Sequence, residues 1–210
     1  MRGKFITFEG GEGCGKSTQV KRLKAELEAK GHEVLLTREP GGTYLAEEIR
    51  HLIKDQETDA PCDRSELLLF LAARAQLVKK VIAPALEKGV WVISDRFSDS
   101  TFAYQGYGRG LDLDTLKAIN AFACEDLKPD LTLLLEVSPE VSRSRRLQRE
   151  NATGTTADRI EKAGDDFHKR LAEGFRRLAE AEPERIVRID ANGTIDEVWS
   201  AVCESMKRLD

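Results

Sequence analysis

Phe5-Ile6-Thr7-Phe8-Glu9-Gly10-Gly11-Glu12-Gly13-Cys14-Gly15-Lys16-Ser17 runs from an apolar, strand-like start through a glycine-rich octapeptide into a helical pattern. Residues 10–17 satisfy G-x-x-x-x-G-K-[ST], and a preceding strand with a following helix is the setting that pattern requires. Glycines let backbone N–H groups turn inward around phosphate oxygens, and the helix N-terminus adds partial positive charge. Gly10, Gly11, Glu12, Gly13, Cys14, Gly15, Lys16, Ser17 and Thr18 therefore read as a cradle for a nucleotide triphosphate. In it Lys16 reaches the β- and γ-phosphates and the Ser17 hydroxyl suits Mg2+. A glycine-rich turn that merely opens a helix is the plainer alternative, and the joint match of pattern and context argues against it.

Working outward, short continuous apolar runs alternate with helical patterns. The reading gives strands over 5–8, 34–37, 90–93, 131–137 and 186–189. Helices fall over 17–30, 43–54, 65–88, 113–124, 139–149, 158–180 and 195–209. Gly31 stops the first helix, and Pro84 splits or kinks the long one. Strands that are apolar throughout belong in parallel sheets covered on both faces. The fold class is α/β: a doubly wound five-stranded parallel sheet with helices on both faces, of P-loop NTPase type. With no repeat and no linker, residues 1–210 read as a single domain.

Composition narrows the partners. The 210 residues carry a net charge of −4, so no overall basic excess recruits nucleic acid or an anionic membrane. No apolar run approaches the about 18 residues of a membrane span, and no secretory segment opens the chain, which places it in the cytoplasm. Cys14, Cys62, Cys124 and Cys203 are scattered, as are the three histidines, so neither a disulfide framework nor a zinc site is expected.

In such a sheet ligands bind beyond the carboxyl ends of the strands, and chemistry-bearing residues stand there. Asp95 ends the third strand and is read as a magnesium ligand beside Ser17, with helix capping as the bland alternative. Arg96 follows it, and Arg38 precedes the turn Glu39-Pro40-Gly41-Gly42 at the end of the second strand. A guanidinium there suits a phosphate, or a salt bridge to Glu39 or another acid. Phe70 and Arg74 lie four apart on one helical face, fit either to stack a base and hold its phosphate or to serve as a core ring with a snorkelling arginine. The polar and aromatic stretch 98–106 holds Ser100, Tyr104 and Gln105 and looks like a base-reading surface. Arg143, Arg145, Arg146 and Arg149 gather in a helix before a polar loop, as a solvated face or as a lid around 143–160.

These stretches together resemble the bacterial thymidylate kinases, a family of P-loop nucleoside-monophosphate kinases. The residues that carry the likeness are 8–19, 37–43, 69–74, Asp95-Arg96-Phe97 with 100–105, 129–132 and Asp158-Arg159-Ile160-Glu161, in order along nearly the whole chain. The resemblance implies ATP as donor, Mg2+ as cofactor, dTMP as acceptor and a homodimer. It places Glu12 near the sugar and the transferred group, and Arg38 with Arg96 on the acceptor phosphate. Phe70 then stacks on thymine, and Arg74 holds a base carbonyl or the phosphate side. Ser100 and Gln105 meet the base edge, and Tyr104 crowds the sugar 2′ carbon. Lys16, Asp95, Arg96, Arg145 and Arg149 become the catalytic set. Some members carry an arginine where this loop has Gly13, so here the lid supplies that cation. Leu147 stands where another lid arginine would align, which leaves Arg145, Arg146 or Arg149 for the task. The backbone of Asp190-Ala191-Asn192 passes under adenine. The rivals are another nucleoside-monophosphate kinase, which leaves Phe70 with 100–105 unexplained, and a non-catalytic ATP-binding switch, which leaves Arg38 and Arg74 so.

Overall fold

A computed structural model of the chain describes residues 2–54, 59–154, 159 and 163–209. Its strands are β1 (Phe5–Glu9), β2 (Val34–Arg38), β3 (Trp91–Asp95), β4 (Leu131–Glu136) and β5 (Ile186–Asp190). They form one parallel sheet in the order β2-β3-β1-β4-β5. Every residue of β1 is buried, as a strand covered on both faces requires. Alternation along β1 splits the core. Ile6 and Phe8 pack with Val20, Leu23 and Val202 under the helices α1 (Lys16–Ala29) and α9 (Ile195–Met206). Phe5 faces the other way, among Leu77, Ile82, Val92 and Phe97.

The register sets the site. Phe8 lies opposite Asp95 in β3, and Asp95 lies opposite Arg38 in β2, so the phosphate loop, Asp95 and Arg38 leave the sheet on one edge. The remaining helices are α2 (Tyr44–Lys54), α3 (Asp63–Leu77), α4 (Ala83–Glu87), α5 (Ser98–Thr101), α6 (Leu113–Cys124), α7 (Pro139–Thr153) and α8 (Asp165–Ala181).

Four local expectations are corrected or sharpened. The helix expected over 65–88 is α3 and α4 joined by a π-helical turn at Val78–Ile82, in which the Ala83 N–H bonds the carbonyl of Val78. Pro84 has no N–H and its ring crowds the carbonyl four residues back, so the turn before it widens. The polar and aromatic stretch 98–106, to which the sequence assigns no element, is helical: α5 passes into a second π-helical turn, Phe102–Gly108. Arg149 does not end α7, which continues to Thr153 and stops at Gly154 in the left-handed conformation. The helix expected from Asp158 begins at Asp165; residues 155–158 and 160–162, with most of the Asp158-to-Glu161 motif, lie outside the described residues.

Candidate active site

The phosphate loop is shaped by what touches it. Gly10 has φ 131°, and a Cβ there would stand 2.2 Å from the carbonyl oxygen of Leu135. At Gly13, with φ 72°, a Cβ would lie 2.7 Å from the backbone oxygen of Ser142 on α7. No side chain fits between the loop and that helix, so an arginine at Gly13 is sterically barred in this chain. Ser142 fastens the contact by donating its hydroxyl to the Glu12 carbonyl at 2.8 Å. The Lys16 ammonium folds back over the loop and donates to the carbonyls of Gly10 (3.0 Å) and Gly11 (2.9 Å). Burial and Arg96 oppose its charge, yet the anionic groups around it, Glu12 and Asp95 among them, lift its pKa above the ordinary lysine value.

Beside the loop, the Ser17 hydroxyl donates to Asp95 Oδ2 at 3.4 Å. A hydroxyl and a carboxylate side by side are hard oxygen donors of the kind Mg2+ takes, and that ion normally draws its other ligands from water and substrate phosphates. The pair fits magnesium.

Arg96 is the pivot. It holds φ 72°, a conformation a non-glycine residue adopts only where its surroundings enforce it. Its guanidinium donates to the Gly10 carbonyl (3.0 Å), Ser100 Oγ (3.2 Å) and Glu12 Oε1 (2.5 Å), and lies 5.1 Å from the Tyr104 ring centre. Burial favours the neutral acid at Glu12, but Arg96 and then Lys16 outweigh it and hold the carboxyl down at about 2. Arg149 of α7 stands 3.7 Å from the other oxygen of Glu12.

Most of the expected site residues border one cleft of about 470 Å3: Lys16, Ser17, Arg38, Phe70, Arg74, Asp95, Arg96, Ser100, Tyr104, Gln105, Arg145 and Arg149 together with residues 12–15 and Thr18. Gly10 and Gly11 border a second cavity instead, with Arg143 and Arg146. Arg38 is exposed and pairs with Glu47 at 3.0 Å, not with the neighbouring Glu39. Glu39 is taken by Arg74, at 2.9 Å from Nε and 2.5 Å from Nη2, and Asn120 accepts from Arg74 Nη1 at 2.7 Å. Arg74 is only 1% exposed, so it is no snorkelling side chain. Phe70 is half-buried at the wall of the cleft. Arg145 turns toward the loop after β5 and donates to the carbonyls of Ala191 (2.8 Å) and Gly193 (3.0 Å).

Sequence reasoning missed Glu9. The carboxyl that ends β1 accepts from the N–H groups of Phe97 (2.8 Å) and Ser100 (3.2 Å) and from Ser100 Oγ (2.5 Å), so it fixes the turn that carries Arg96. The signal was a carboxylate closing an apolar strand, the same signal that singled out Asp95. Burial, then the nearby Asp99, pushes Glu9 up to about 7. The unfolded chain releases that proton near 4.5, whereas the folded protein keeps it until about 7. Stability is therefore full below the lower value and falls as pH rises through the upper one, by about 3 kcal/mol. Urea unfolding at pH 5 and pH 8 should show this loss in the wild type and not in Glu9→Gln; an equal pH dependence in both would refute it.

The family description "Thymidylate kinase" matches residues 8–202. Curated thymidylate kinases from Citrifermentans bemidjiense (46% identical over 207 residues, 98% of this chain and 92% of that one) and Solidesulfovibrio magneticus (49% over 200 residues, 94% and 96%) are among its relatives. Among solved structures, the thymidylate kinase of Ehrlichia chaffeensis superposes with a TM-score of 0.77 at 34% identity, each chain covered completely. Cleft, sheet order and relatives agree, and the chain belongs to the thymidylate kinase family.

Proposed function

We propose that the chain transfers the γ-phosphoryl group of Mg·ATP in line to the phosphate of dTMP, giving dTDP for dTTP synthesis, within one domain spanning 1–210. The observation that carries this reading is the position of Glu12. The loop built to cradle the donor's phosphates reaches, through that one side chain, both Arg96 on the acceptor side and Arg149 on α7.

The acceptor oxygen of a monophosphate is largely ionised at neutral pH, so no strong general base is needed. It bonds to the γ-phosphorus as the bond to the bridging oxygen of ADP breaks, and positioning with charge neutralisation supplies the rate. Lys16 follows the migrating charge from the donor side; Arg96, with Arg38, orients the acceptor phosphate. Arg149 stands at the transfer point, whereas Arg145 reaches the loop of Asp190-Ala191-Asn192 and serves the adenine side. Ser17 and Asp95 would hold Mg2+, which would supply charge neutralisation of the donor's phosphates. Phe70 stacks on thymine, Arg74 turns its remaining N–H groups to a base carbonyl, Ser100 and Gln105 meet the base edge, and Tyr104 crowds the sugar 2′ carbon.

A methyl-sized pocket discriminates by about 1–3 kcal/mol, so dTMP should be preferred over dUMP by roughly 10- to 200-fold. A coupled ADP-release assay with dTMP, dUMP, dCMP, AMP and GMP checks this; turnover led by a purine monophosphate would overturn it.

The chain works in the cytoplasm, and among the described residues no helix is long and apolar enough to cross a membrane. It pairs with a second copy of itself. Phe122 on α6 (89% exposed) and Leu68 on α3 (60%) leave neighbouring helices with large apolar side chains for a partner to cover.

A further inference from the structure

Glu66, on α3, is 1% exposed, and no step of the reaction uses it. Its Oε1 accepts from Gln105 Nε2 at 3.1 Å and from Arg109 Nε at 3.3 Å. Its Oε2 accepts from Arg109 Nη2 at 3.1 Å and from Arg159 Nη2. A carboxylate only accepts, so the edge of the Gln105 amide that faces it must be the NH2 edge. The amide is planar, with oxygen and nitrogen on opposite sides, and Gln105 borders the substrate cleft although it is only 2% exposed. Its carbonyl oxygen is thereby turned away from Glu66.

We propose that Glu66 sets the polarity of base recognition. By holding Gln105 through its NH2 group, it presents an acceptor to the cleft, which takes a pyrimidine bearing N–H at ring position 3, thymine or uracil, and turns away cytosine, whose position 3 is itself an acceptor. Glu66 touches no substrate and is a positioning residue. The inference rests on the reading that Gln105 faces the base edge.

Replacing Glu66 by glutamine tests the polarity directly. Arg109 Nη2 and Arg159 Nη2 together retain the amide oxygen of the new residue on the Oε2 side, at the cost of the single 3.3 Å bond from Arg109 Nε to Oε1, so its NH2 takes the place of Oε1 and faces Gln105. Gln105 must then rotate to answer with its carbonyl, and its NH2 enters the cleft. In Glu66→Gln, kcat/KM for dTMP should fall while that for dCMP holds or rises, narrowing the dTMP-to-dCMP ratio by about tenfold or more. A merely structural role would lower both substrates together.

The exchange Glu66→Gln with Gln105→Glu conserves the charge beside the two arginines and returns an acceptor to the cleft, so it should recover the preference; it also answers the question if the single variant does not fold. Gln105→Leu separates the two layers. If it leaves the ratio unchanged, Gln105 does not read the base. If it narrows the ratio but Glu66→Gln does not, or if the exchange does not recover the preference, the base-edge reading stands and the role of Glu66 falls.

Discussion

Lys16→Ala should lower kcat by about 10^3-fold, roughly 4 kcal/mol of transition-state stabilisation, with KM for dTMP changed only a few-fold. The reason is positional. The Lys16 ammonium is already fixed against the carbonyls of Gly10 and Gly11, in the loop proposed to cradle the donor's phosphates, so on that reading it would meet the migrating charge without reorganising. Thermal unfolding should separate catalysis from folding. The lysine is partly compensated by loop carbonyls that water can reach once it is gone, so Tm should move little. Steady-state rates within tenfold of wild type would remove Lys16 from the mechanism.

The largest effect on stability is expected at Glu39→Ala, a loss of about 3–5 kcal/mol in urea unfolding. Arg74 is buried to the level of a core leucine, and Glu39 is its only anionic partner among the described contacts. The Asn120 carbonyl and the Phe97 ring, 5.1 Å away, compensate a guanidinium only weakly. Burial pushes Glu39 up against the pull of Arg74, which marks how much of the pair's attraction is spent on removing it from water. Replacing both partners by methionine should therefore recover part of the loss. A single substitution costing less than about 1 kcal/mol would show that the pair is not sealed from solvent.

The sheet was legible because parallel strands buried on both faces advertise themselves as unbroken apolar runs, and β1 through β5 each sit within two residues of the runs that announce them. Asp95 and Arg96 drew attention for a related reason, a polar residue where an apolar run stops, and Lys16 and Ser17 through the G-x-x-x-x-G-K-[ST] spacing; their roles are the ones proposed above. Pairing partners were not. Nothing in the sequence chooses between Glu39 and Glu47 for Arg38, because that choice depends on Arg74 arriving from α3 to claim the first of them. Glu66 was invisible for the same reason, a glutamate on a helix whose burial only the packing of Arg109 and Gln105 reveals. The π-helical turn at Val78–Ile82 escaped because the helical period persists through a widened turn, and only the backbone bonds betray it.

The most direct measurement is the rate of ADP formation from ATP with dTMP as acceptor, in the wild type and in Arg96→Ala. Arg96 binds Glu12, Gly10 and Ser100, where the proposed reaction brings donor and acceptor together. Rapid turnover that collapses in the variant, with ATP binding retained, is the predicted result; dTMP-independent hydrolysis, or a variant that phosphorylates dTMP at the wild-type rate, would contradict it.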